Sequence, residues 1–115
     1  MDPEIILNLI EISILEELWT DAQEYIAQFK AMLSDAADRC RPGLVIISAG
    51  FDTHAEDPIG SLGLENEDFT ALTNAVCDVA AVHSEGRVLS MLEGGYNVNR
   101  LAECVEIHLR TLLSN

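Results

Sequence analysis

The sequence predicts an α/β fold in which a layered parallel sheet is flanked by helices. Three observations carry this. Apolar residues recur at helical spacing in three separate segments. Two short apolar runs, Leu44-Val45-Ile46-Ile47 and Val88-Leu89-Ser90-Met91-Leu92, lie between those segments, and each run ends in a glycine-bearing polar loop. Strands joined through helices require right-handed parallel crossovers, which is the pattern of an α/β layered domain.

The N-terminal stretch, residues 1–19, is apolar and acidic and fits no single element. Ile10, Ile12 and Ile14 alternate as a strand would, while Leu7, Ile10, Ile14, Leu15 and Leu18 suit a helix. Such a stretch is expected to cover a surface that another part of the protein would otherwise bury. From residue 20 the pattern is firmer. Thr20 and Gln23 have capping-box spacing, with Asp21 and Glu24 in the first turn. Tyr25, Ile26, Phe29, Met32, Leu33, Ala36, Ala37 and Cys40 then form one stripe, and Pro42-Gly43 is expected to stop the helix. Leu44 to Ile47 does not alternate, which is how a strand covered on both faces reads. A second helix carries Phe69, Leu72, Val76, Val79 and Ala80 and closes near Gly86. The second strand runs into Glu93-Gly94-Gly95-Tyr96-Asn97, and a final helix carries Leu101, Cys104, Val105, His108, Leu109 and Leu112.

Bulk properties narrow the function. The chain has 115 residues, about half of them hydrophobic, enough for one domain that buries roughly 65% of its unfolded surface. Twenty Asp and Glu against six Lys and Arg argue against direct nucleic-acid binding, which needs clustered cations. The acidic field suits a cationic substrate, or simply solvates the helix faces. Cys40, Cys77 and Cys104 are scattered and odd in number, against a disulfide scaffold and in keeping with a reducing compartment. Cys77 and Cys104 fall on apolar stripes and are expected to be buried. Apolar runs fall short of the ~20 residues that span a bilayer, so no membrane partner and a cytoplasmic location are expected.

Chemistry in such folds gathers beyond the carboxyl ends of strands. Two loops qualify, Ser48-Ala49-Gly50-Phe51-Asp52-Thr53-His54 and Glu93-Gly94-Gly95-Tyr96-Asn97. If the strands are neighbours, Asp52 and Tyr96 approach each other over one sheet edge. Read alone, Asp52 suits a loop aspartate capping nearby amides, and Tyr96 a core aromatic with a local hydroxyl partner.

The run from Pro42 to Pro58, with Ala49-Gly50-Phe51-Asp52 and Asp57-Pro58, resembles the third metal-ligand segment of histone deacetylases. It is closest to the class II-like and bacterial acetylpolyamine amidohydrolase or acetoin-utilisation branch. Leu92-Glu93-Gly94-Gly95-Tyr96-Asn97 resembles the family's catalytic tyrosine segment. The resemblance covers residues 20–115, marking them as the C-terminal part of a deacetylase-like α/β domain of the arginase/deacetylase fold. It implies a zinc-dependent hydrolase of acetyl-lysine or acetylpolyamine amides. Asp52 would be one zinc ligand and Tyr96 the catalytic hydroxyl. Gly94 and Gly95 would wall the substrate channel, with His54 and Asp57 beside the metal but outside its ligand set.

The family's histidine pair and its Asp-x-His ligand segment have no counterpart here. The chain holds only His54, His83 and His108, and no two are adjacent. Zinc is therefore expected only in a site completed from elsewhere, and the chain reads as a fragment, inactive alone. A separate N-terminal half, or self-association, is the expected partner. His83 and His108, late on their helices, are expected to favour the helix dipole as partly protonated imidazoles. The rival is a non-catalytic interaction module. A phosphate-binding loop is disfavoured, because Gly94-Gly95 lacks the Gly-x-Gly-x-x-Gly pattern and has no basic neighbour.

Overall fold

The computed structural model describes residues 22–60 and 62–115. The expected capping pair at Thr20 and the whole of residues 1–19 lie outside them. In order, the elements are α1 (Ala22–Cys40), β1 (Val45–Gly50), α2 (Asn66–His83), β2 (Val88–Gly94) and α3 (Val98–Leu113). Helix, strand, helix, strand, helix is the order that the apolar periodicities predict.

The α1 stripe buries Tyr25, Ile26, Leu33 and Ala37, with Phe29, Met32 and Ala36 packed beside them. The helix does stop at Pro42, but the left-handed residue is Arg41, at φ 49°, and not Gly43. The Arg41 amide donates back to the Ala37 carbonyl at 2.7 Å, closing the last turn. At the start of α2 the amide of Glu65 donates to Asp68 at 2.8 Å, the backward half of a capping box. The far end of α2 is tied down by Ser84, fully buried, whose hydroxyl donates to the Pro42 carbonyl at 2.6 Å. Gly86, at φ 77°, then turns the chain into β2.

The strands are parallel neighbours, Val45 opposite Val88 through Ala49 opposite Leu92, with a register shift that brings Gly50 opposite Gly94. Parallel strands cannot be joined by a tight turn, so α2 serves as the crossover. Ile47 and Ser90 pair on the face that the helices cover. His108 of α3 reaches Ser90 there, and its ring meets Phe51 edge-on at 5.8 Å. Phe51 in turn meets Phe69 of α2 at 5.2 Å. A half-open apolar pocket of about 90 Å³ lies on this face, between Tyr25, Phe29, Ile47, Phe69 and Val76.

Cover differs between the two strands. Leu44 to Ile47, the run that reads as covered on both faces, is buried or half-buried throughout, whereas in β2 Leu89 and Met91, alternating with Ser90, stand 48% and 51% exposed. One expectation is corrected: His108 is not a solvated residue at a helix end. It is buried, and burial pushes its imidazole below the ordinary value of 6.5. The expected burial of Cys77 and Cys104 is met, and desolvation pushes the Cys104 thiol up to about 11. Among the described residues, no helix is long and apolar enough to cross a membrane.

Candidate functional site

Parallel pairing places both glycine-bearing loops at the same end of the sheet, because β1 and β2 each finish there. The register shift carries the pairing past the strands proper: the Phe51 amide donates to the Gly94 carbonyl at 2.9 Å. Asp52 follows at once, half-buried, with its carboxylate against Gly94. A Cβ at Gly94 would lie 3.6 Å from the Asp52 Cγ and Oδ1. On its other side Asp52 is held by Gly60, where a Cβ would lie 2.2 Å from the Asp52 carbonyl oxygen. Glycine at 60 is therefore demanded by contact.

Asp57 lies between the loops and is 5% exposed. Its Oδ1 accepts from the amides of Ile59 at 2.8 Å and Gly60 at 3.0 Å, and its Oδ2 accepts from the amide of Tyr96 at 2.8 Å. Burial pushes the carboxyl upward, but the amides of Gly60, Tyr96, Ile59 and Asn97 outweigh it and hold the group below its ordinary 3.8. Asp57 does fix a turn, as its place before Pro58 suggests. Its reach to Tyr96 has no local sequence signal.

His54 is 1% exposed and stacks on Phe69, with centroids 6.2 Å apart and planes 6° from parallel. The Glu56 amide donates to its Nδ1 at 3.0 Å, so Nδ1 is an acceptor and the proton sits on Nε2. Nε2 then donates to the Asn66 side-chain oxygen at 2.9 Å. With both ring nitrogens engaged, His54 has no lone pair left for a metal, in keeping with its place outside the ligand set.

The network continues outward. The Asn66 amide donates to Glu103 at 2.9 Å, and Arg100 bridges Glu103 and Glu56. Asn97 caps α3 by accepting from the Arg100 amide, and its own amide donates to the Glu56 carbonyl at 3.0 Å. Asn66, Arg100 and Glu103 carry no site assignment in the sequence. The i,i+3 spacing of Arg100 and Glu103 is the one available signal, and it marks any helix face.

Tyr96 stands 51% exposed, so its ring is not a core aromatic. Gly95, at φ 138°, lets the chain turn outward before it, and a Cβ there would lie 2.6 Å from Leu101 Cδ1. The structure thus gathers Asp52, Asp57, Gly94, Gly95 and Tyr96 at one strand end, with His54 beneath.

The family resemblance implies zinc, held by three protein ligands. Among the described residues there is no group of three His, Cys, Asp or Glu side chains that could hold a metal ion. Asp52 alone does not fit a three-ligand centre.

The chain matches the sequence model of the histone deacetylase domain over residues 8–112, starting upstream of the residue-20 boundary. It is 32% identical over 111 residues to type-2 histone deacetylase 2 of Dictyostelium discoideum, covering 94% of this chain and 6% of that protein. Human polyamine deacetylase HDAC10 is 39% identical over 92 residues, covering 80% of this chain and 13% of that one. A histone deacetylase-like amidohydrolase of Pseudomonas aeruginosa is 36% identical over 73 residues, covering 64% of this chain and 19% of that one. The crystal structure of the HDA15 HD domain superposes with a TM-score of 0.72 at 29% identity, over 82% of this chain and 26% of that chain. The chain thus spans a small part of the length of each relative.

Proposed function

The chain belongs to the histone deacetylase family, and from that premise we propose that it supplies the Asp52 and Tyr96 portion of a zinc-dependent acetylamide hydrolase. The observation that carries this is the meeting of two loops at the carboxyl ends of neighbouring parallel strands, with Asp52 against Gly94 and Tyr96 two residues on. The substrate class is acetyl-lysine in a peptide or an acetylated polyamine. Both are cationic or flanked by cations, in keeping with a chain of net charge −14.

Tyr96 donates its phenolic hydrogen bond to the acyl oxygen as negative charge develops there, an interaction stronger in the transition state than in the ground state. Gly94 lets the Asp52 carboxylate lie against the β2 end, and Gly95 lets the chain pass close to Leu101 before Tyr96. Asp52 is the carboxylate that the described residues bring to a metal centre. Two further ligands, and a base for the attacking water, must come from outside the described residues. No catalytic step is therefore assigned to a metal on this chain. The proposed zinc belongs to a completed site, and the chain alone is inactive.

The rival, a non-catalytic interaction module, is favoured by the exposed Leu89 and Met91. Turnover separates the two readings. The purified chain with zinc is expected to show no deacetylation of acetyl-lysine or acetylpolyamine substrates. Adding a polypeptide that carries the ligand and histidine-pair segments of a relative is expected to restore it. In that complex Asp52→Ala loses the metal, read by metal analysis, and Tyr96→Phe keeps it but loses roughly 10²–10³ in rate. Turnover that both variants leave unchanged would sink the assignment.

A further inference from the structure

Asp57 holds more backbone than a turn requires. A side chain closing the turn at residues 57–60 needs one oxygen, and Oδ1 does that work by accepting from Ile59 and Gly60. The second oxygen is spent 39 residues away, on the amide of Tyr96 at 2.8 Å. That amide belongs to neither β2, which ends at Gly94, nor α3, which begins at Val98. A backbone donor outside the regular elements needs another acceptor, and Asp57 supplies it.

The two oxygens face the two halves of the site. Through Oδ1 the carboxylate holds Gly60, which is pressed against the Asp52 carbonyl. Through Oδ2 it holds the backbone of Tyr96. From this geometry we infer that Asp57 is a positioning residue, which sets where Tyr96 stands relative to Asp52 by tethering the Tyr96 amide. Asparagine would suffice for the turn; only a carboxylate accepts on both sides. The catalytic part of this inference rests on the reading of Tyr96 as the hydrogen-bond donor. The tether does not.

Asp57→Asn is the discriminating variant. Two amide donors keep its carboxamide oxygen at Ile59 and Gly60, so its NH₂ faces the Tyr96 amide and that bond is lost. The chain has two tyrosines, and Tyr25, 4% exposed, serves as an internal control on the fold. In the ¹⁵N-labelled chain carrying fluorotyrosine, the Tyr96 amide is expected to exchange slowly. In Asp57→Asn it should exchange at least about 10-fold faster, while the Gly60 amide stays protected, the Tyr25 fluorine signal stays in place and the Tyr96 signal moves. A Tyr96 amide that exchanges freely in the unsubstituted chain, or equally slowly in both, overturns the tether. Should the variant unfold, as a displaced Tyr25 signal would show, exchange in the unsubstituted chain decides.

In the reconstituted enzyme, Asp57→Asn is expected to lower kcat about 10-fold with KM unchanged, the cost of a misplaced group. It should cost nothing further in a Tyr96→Phe background, because it acts through Tyr96. Losses that simply add overturn the positioning role. A Tyr96→Phe variant without any loss overturns the reading of Tyr96 instead, and leaves the tether to the exchange measurement.

Discussion

His54 and His108 are both buried imidazoles, and the hydrogen bonds around them assign their protons. At His108, Thr73 spends its hydroxyl proton on the Phe69 carbonyl at 2.7 Å, so it can only accept from Nδ1. Nε2 is then left to accept from Ser90 at 2.8 Å, and the ring is neutral. Because its folded value lies below 6.5, the unfolded chain takes up this proton first as pH falls. The stability contributed is present above pH 6.5 and is lost as pH drops from there through the folded value. Thermal melts between about pH 7.5 and 5.5 are expected to show this loss, and His108→Gln to shrink it. His54 answers to a different test. His54→Ala removes the ring stacked on Phe69 and the partner of the Glu56 amide, and leaves the Asn66 oxygen only the longer contact from the Cys104 thiol at 3.6 Å, at about 1–3 kcal/mol for a part-buried group left unpaired. Denaturant unfolding should show the sum as a lower midpoint.

At the scale of elements, the helices are held by aliphatic burial and the loops by contacts that exclude a Cβ. Leu33 of α1 is 3% exposed, and Leu33→Ala is expected to cost about 2–5 kcal/mol in chemical denaturation. Gly60→Ala acts differently. The new methyl meets the Asp52 carbonyl, backbone against side chain, so one loop must move. The expected outcome is a shift of Asp52 and its neighbours in amide spectra, with much smaller changes in α1. The end of α1 offers the opposite case. Arg41 is left-handed without a glycine's freedom, which costs an L-residue roughly 1–2 kcal/mol. Arg41→Gly relieves this, and a raised melting temperature would show it.

Among the described residues, helices shield one side of a two-stranded sheet, and β2 presents Leu89 and Met91 on the other, with Leu92 60% exposed near the strand end. Among those residues each strand has a neighbour on one side only, and open strand edges with apolar side chains favour further pairing. Light scattering over a concentration series is expected to show association. Leu89→Lys with Met91→Lys should weaken it at little cost to the fold, because exposed positions usually change stability by under ~0.5 kcal/mol. A clean monomer at high concentration would remove the case for this face as a contact surface.

By itself the sequence determined the order of elements, because periodicities of three to four and unbroken apolar runs are local properties of the chain. It also determined where the two polar loops fall, since glycine and acidic residues punctuate the runs. Parallel pairing followed from helices standing between strands. The tertiary structure alone decided what joins distant positions. Asp57 meets Tyr96 across 39 residues, His54 meets Asn66 across 12, and His108 meets Thr73 across 35. Each is a polar group that lost water on burial and had to find a partner in space, and no spacing along a single chain records which partner that will be. The one-sided cover of β2 among the described residues was beyond the sequence for the same reason. An apolar run states that a surface avoids water, and only the packed molecule shows which side is covered.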